Sequence, residues 1–166
     1  MKLLNDQAFS LTKADVLRNI DIPFLVEEEF AALVIQMNYA PHRIEDPELC
    51  AEEIRTCIRR YFPEEEVPAG NIDPDDFDPL FNFVTLSLDC GERYVGCAHR
   101  HAPSLTVKIS EGDASPGFDP VPVEKGLWRV MLHVHAVISS QVQCRLRIWG
   151  TEEADGEDTC LLYTSD

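Results

Sequence analysis

Two His-x-His pairs are the residues of this chain best placed to do chemistry: His99-Arg100-His101 and His133-Val134-His135. On a β-strand, residues i and i+2 share a face, so each pair can offer two imidazoles to one metal ion. Two such pairs meeting would make a four-histidine site, and Asp89, Glu92 or Cys97 would complete a mixed one. Nothing in the sequence brings residue 99 near residue 133, and this spacing arises often in strands. The expectation is therefore no metal, with His99, His101, His133 and His135 as fallback ligands and hydrogen-bonded surface histidines as the plainer reading.

Nucleophilic catalysis finds little to work with. Ser104, Ser110 and Ser115 are expected in loops, and there is no G-x-S-x-G elbow. Cys90 and Cys97 stand near His99 in sequence, a Cys/His arrangement in principle. There is no P-loop and no G-x-G-x-x-G. No catalytic residue is assigned, and no cofactor is expected in this chain.

The elements that would position these residues are mostly strands. Ile22–Val26 is a short apolar run in which Pro23 suits an edge. Ala32–Tyr39 alternates, with Leu33, Ile35, Met37 and Tyr39 on one side. Asn82–Leu88, Leu105–Ile109, Leu127–Ile138 and Val142–Trp149 follow the same period, with Trp128, Val130, Leu132, Val134, Ala136 and Ile138 on one face of the fifth run and Val142, Cys144, Leu146 and Ile148 inward on the sixth. Between Pro47 and Tyr61 the period changes: Cys50, Ile54, Cys57, Ile58 and Tyr61 recur at helical spacing, Asp46 can cap, and Pro47 suits the first turn. Residues 63–80 read as an irregular acidic loop, Cys90–Pro103 as a long connection and 110–126 as turns. Six strands and one helix predict an all-β, jelly-roll-like β-sandwich with an inserted amphipathic helix (about 47–61) and an acidic loop. The expected organisation is a lead-in over 1–21, the sandwich over 22–150 with its insertion at 45–80, and an acidic linker and tail over 151–166.

A symmetric hairpin through Ser139, Ser140 and Gln141 would set His135 opposite Arg145 and His133 opposite Arg147, with Arg129 further along. These five residues, with Trp149 near the strand end, form a candidate anion- or ligand-binding patch, since Arg forks suit phosphate or carboxylate. The plainer expectation is that acidic segments or another domain lie over it. Trp128 shares the apolar face and reads as core.

The chain has 166 residues and a net charge of −16. Residues 45–78 hold twelve Asp/Glu against three Arg, and 152–158 hold five acids and no base. So acidic a chain repels phosphate backbones, which argues against nucleic-acid binding. The remaining readings are solvated faces or an acidic inhibitor of a nucleic-acid enzyme. No apolar run approaches membrane-spanning length, and Met1–Leu11 lacks the apolar core of a signal peptide, so a cytoplasmic location is expected. The six cysteines form no C-x-x-C pair and match no zinc pattern; free thiols are expected, with Cys57 and Cys144 as small buried hydrophobes.

Three stretches resemble the non-catalytic N-terminal domain of PHP-type metal-dependent phosphoesterases of the CehA/McbA class: Ile22-Pro23-Phe24-Leu25-Val26 leading to Asn38-Tyr39-Ala40-Pro41; Asn82 to Asp89 with Tyr94 and Gly96; and Ala114-Ser115-Pro116-Gly117-Phe118, Pro120 to Val123 and Gly126-Leu127-Trp128. The resemblance runs in order along 22–149. It implies a jelly-roll sandwich followed by a catalytic domain that opens with D-x-H-x-H and hydrolyses phosphoester or related bonds with two or three divalent metals. No D-x-H-x-H occurs in this chain. The chain is accordingly expected to be an accessory domain whose partner is a missing C-terminal catalytic domain, and any metals would belong to that domain. Cys160 to Asp166 resembles a translated sequencing-adapter remnant, so the last seven residues are expected to be non-native. The alternative is a stand-alone carbohydrate- or anion-binding module.

Overall fold

The computed structural model describes residues 1–62, 73–77 and 79–153. Among the described residues, eight antiparallel strands make two four-stranded sheets. One holds, in lateral order, β1 (Lys2–Leu11), β8 (Val142–Thr151), β3 (Ala32–Ala40) and β6 (Ser104–Ser110). The other holds β2 (Asn19–Val26), β7 (Gly126–Ala136), β4 (Phe83–Cys90) and β5 (Arg93–Ala98). This is jelly-roll order: among the described residues the chain changes sheet at every step but β4 to β5.

The alternation in the sequence is what closes the sandwich. Leu33, Ile35, Met37 and Tyr39 from β3 and Val142, Cys144, Leu146 and Ile148 from β8 are buried against Val84, Leu86 and Leu88 from β4 and Trp128, Val130, Leu132 and Val134 from β7. Each large aliphatic side chain so buried contributes about 1.5–3 kcal/mol. The intervening residues face outward and make the two outer plates.

The helix lies where its period predicts it. Helix α1 (Pro47–Tyr61) starts with Asp46, whose carboxylate accepts from the backbone N–H of Glu48 at 3.0 Å and of Leu49 at 3.1 Å. Only Cys50 and Ile54 of its apolar stripe are buried, beside Ile44, and Cys57 and Tyr61 are exposed. Cys144 is buried as expected; Cys57 is not. The helix is fully buried only in its first half, Ile58 being half-buried, and Glu53 pairs with Lys13 from the β1–β2 connection.

Three expectations need correction. Residues 1–21 are not merely a lead-in: β1 pairs with β8 along Lys2–Leu11, Leu11 enters the core, and β2 already begins at Asn19. The connection from Cys90 to Pro103 contains β5. The hairpin expected at 127–149 does not form: β7 and β8 belong to different sheets, and residues 137–141 carry the chain across the sandwich. A five-residue connection serves either a hairpin or a crossover, so local sequence does not separate them. The acidic loop falls largely on residues 63–72, and the linker and tail on residues beyond 153; both lie outside the described residues.

Candidate functional site

The outward plate of the β2-β7-β4-β5 sheet gathers the histidines. His133 and His135 project from β7 while Leu132 and Val134 enter the core. On the adjacent β4, Thr85 and Ser87 are buried beneath the imidazoles. Thr85 Oγ1 lies 2.8 Å from His135 Nε2, and Ser87 Oγ 2.9 Å from His133 Nε2. His133 Nδ1 stands 2.8 Å from Asn19 Oδ1 on β2. With Asn19 Oδ1 as acceptor, neutral His133 carries its proton on Nδ1 and accepts the Ser87 hydroxyl at Nε2.

Strand β5 brings in the other His-x-His pair. Cys97 lies opposite Ser87, and its Sγ is 2.8 Å from His99 Nε2. The Tyr94 hydroxyl, hydrogen-bonded to Cys97, is pushed up to about 12. Phe83 stacks between His101, at 3.8 Å between ring centroids, and His135, at 4.7 Å. Phe81 then links His101 to His42, at 6.5 and 4.8 Å. His42, His101, His135 and His133 thus follow one another in one run of rings, and His99 lies beside it on Cys97, the register partner of Ser87. The sequence proposed both His-x-His pairs but not their meeting, because nothing local reveals that β5 and β7 flank the same β4. It passed over Phe83, Thr85 and Ser87, whose alternation with Val84, Leu86 and Leu88 was the available signal.

The charged residues expected beside these histidines are divided. Arg129 shares their plate, with Nε 3.0 Å from Asp21 Oδ1 in an ion pair whose angle falls short of a hydrogen bond. Arg145, Arg147 and Trp149 are on β8, and so on the outward plate of the opposite sheet. There Arg145 makes a two-pronged contact with Asp6, at 2.9 and 2.7 Å, which holds the Asp6 carboxyl below the usual range. The Arg147 guanidinium lies 5.4 Å from the Trp149 ring centroid. A single patch of Arg129, His133, His135, Arg145, Arg147 and Trp149 therefore does not exist, because the hairpin that would have made it is a crossover. Among the described residues no three His, Cys, Asp or Glu side chains gather as a metal-holding group.

Burial first, then the neighbouring rings, shapes the titration of this plate. Burial lowers His133 from its ordinary 6.5, His99 adds to the fall, and Asp89 opposes it. Burial lowers His135, and His133, His99 and His101 lower it further. Burial and then His101 lower His42. The unfolded chain thus binds protons on these three residues at higher pH than the folded chain does. Their contribution to stability is present above about pH 6.5 and is lost as pH falls through the folded-state values. Chemical denaturation across this range is expected to show a declining midpoint below about pH 6.5 that His133→Gln and His135→Gln flatten; an unchanged slope in the double variant would contradict it.

No protein-family model and no curated protein matches the chain. Among solved structures, a crystal structure from Sulfurospirillum deleyianum aligns at 11% identity over 87% of this chain and 97% of that one, with a TM-score of 0.34. Among the described residues no helix is long and apolar enough to cross a membrane.

Proposed function

We propose that this chain is the accessory β-sandwich of a PHP-type metal-dependent phosphoesterase, a non-catalytic domain that covers or positions the catalytic one. The observation that carries the reading is where the residues of the resemblance fall. Gly117 and Phe118 lie along the free edge of β5: Cys97 N–H donates to Gly117 O at 3.0 Å and Asp119 N–H to Val95 O at 2.8 Å. Gly96 has φ +153, and a Cβ there would overlap Gly117 O and Phe118 Cα. Phe118, Val121, Val123 and Trp128 are buried. Ser115 closes the preceding turn, its Oγ accepting from Lys108 N–H at 2.9 Å. A motif spent on edge-covering and core-filling suits a domain retained for its shape.

The histidine plate does not fit the two or three divalent metals that a PHP-type reaction uses. Its inner ring nitrogens are taken by Thr85, Ser87 and Asn19, and it lacks a cluster of carboxylates. Those metals belong, on this reading, to the catalytic domain. The purified chain with Mn²⁺ is expected to leave p-nitrophenyl phosphate unhydrolysed above a metal-only blank. Turnover by the chain alone would overturn the proposal, as would a native reading frame that continues past codon 158 into a domain without D-x-H-x-H.

A further inference from the structure

Five cysteines fall among the described residues, and their surroundings differ. Cys144 is buried, and burial pushes its thiol up to about 12. Burial and then Glu124 push Cys90 up, against Arg93. Cys50 is buried, and its thiol donates to Ile44 O at 3.9 Å. Cys57 is exposed on α1. Cys97 is half-buried on β5, and its Sγ is 2.8 Å from Nε2 of the exposed His99. Among the described residues, no other cysteine has an imidazole as its hydrogen-bond partner.

We propose that Cys97 and His99 are a nucleophile and its base, and that together they make Cys97 a site of thiol–disulfide exchange with small disulfides. A base within hydrogen-bond reach of a thiol, and a third group that orients the pair, are what such a nucleophile needs. In the tautomer with its proton on Nδ1, neutral His99 accepts at Nε2. The backbone fixes the sulfur's place. Cys97 N–H donates to Gly117 O at 3.0 Å, and Ser87 is the register partner of Cys97 on β4. Gly96, just before it, leaves no room for a Cβ.

Tyr94 is the third group. Its hydroxyl is hydrogen-bonded to Cys97, and that bond first, then burial, pushes the phenol up to about 12. The phenol therefore keeps its proton and donates it toward the sulfur. Asp89 on β4 and Asp119 on the covering segment bear on the same group. Carboxylates disfavour a bare thiolate, so a positive charge on His99 must balance the sulfur as it reacts. On β7, His133 and His135 lie within electrostatic reach of His99.

The step balances without a further oxidant. The Cys97 proton passes to His99 Nε2 as Sγ attacks one sulfur of a low-molecular-weight disulfide. The S–S bond of that disulfide breaks, and a new one forms on Cys97. The departing thiolate takes a proton back from imidazolium His99. One disulfide is consumed and one mixed disulfide is made, which an external thiol reverses.

The exposed Cys57 is the internal reference. The chain is treated with dithiodipyridine, a neutral disulfide that the net charge of −16 neither attracts nor repels, at about pH 7. Modification at each cysteine is followed by mass spectrometry of its peptide. Cys97 is expected to react about tenfold faster than Cys57, although it is the less exposed. His99→Gln is expected to remove that lead and to leave the Cys57 rate and the far-UV spectrum unchanged. Reaction at Cys97 no faster than at Cys57, or a lead that survives His99→Gln, would overturn the proposal.

Discussion

Asn82→Ala is expected to destabilise the protein by about 3–5 kcal/mol, seen as a large drop in the urea midpoint with little change in slope. Asn82 is fully buried just ahead of β4 and belongs to no apolar pattern. Its Nδ2 donates to Pro41 O at 2.8 Å and to Ser139 Oγ at 2.9 Å, and its Oδ1 accepts from Ile138 N–H at 2.7 Å and Ser139 N–H at 3.3 Å. Its own N–H reaches His42 O at 2.8 Å. One amide therefore ties together the connection after β3, the start of β4 and the crossover from β7 to β8. Truncation leaves backbone groups at Pro41 and Ile138 without their amide partner, and each such group left unsatisfied costs about 1–3 kcal/mol. Ser139→Ala removes one of these bonds and is expected to cost only about 1 kcal/mol. A loss below about 1 kcal/mol for Asn82→Ala would mean that water replaces the amide.

Trp128→Ala is expected to cost a comparable 3–5 kcal/mol through the cavity it opens. Trp128 is fully buried on β7, a central strand, between Phe24 on β2 and Cys90 on β4. Its indole N–H donates to Glu124 O at 3.1 Å, which fixes the approach to the strand. Trp128→Phe keeps most of the volume and loses that hydrogen bond, so it is expected to fall well short of the Ala variant. Because Trp149 is the other tryptophan, the buried indole's emission is the part of the spectrum that Trp128→Ala removes, and denaturation of the variant is then best followed by far-UV circular dichroism.

The two residues were not equally legible. Trp128 stands in strict alternation with Val130, Leu132 and Val134, so its burial follows from period alone. Asn82 is a polar residue whose worth lies in three distant partners, and no local pattern marks it. The same contrast runs through the fold. Helix α1 was readable because Asp46, Pro47 and the Cys50–Ile54 spacing act within one stretch of chain. Strand β1 was missed because Lys2–Leu11 is a sheet-edge strand, mostly exposed, with Leu11 alone fully buried, so it shows no apolar alternation. The PHP-type resemblance led to residues whose role here is packing, Gly96 against Gly117 and Phe118 among them.

The class of fold, the inward and outward faces of most strands, and the helix are local properties of the chain, because each depends on a period of two or 3.6 residues. Tertiary structure alone decided which faces became neighbours. Ser139 to Gln141 suit a hairpin as well as a crossover, and only the competition of whole strands for partners seats β8 between β1 and β3 and leaves β7 between β2 and β4. That choice sends Arg145, Arg147 and Trp149 to one side of the molecule and brings His99 and His101 to His133 and His135 on the other. Strand pairing is a long-range balance of apolar burial and backbone hydrogen bonds, settled between segments tens of residues apart, and no spacing within one segment records it.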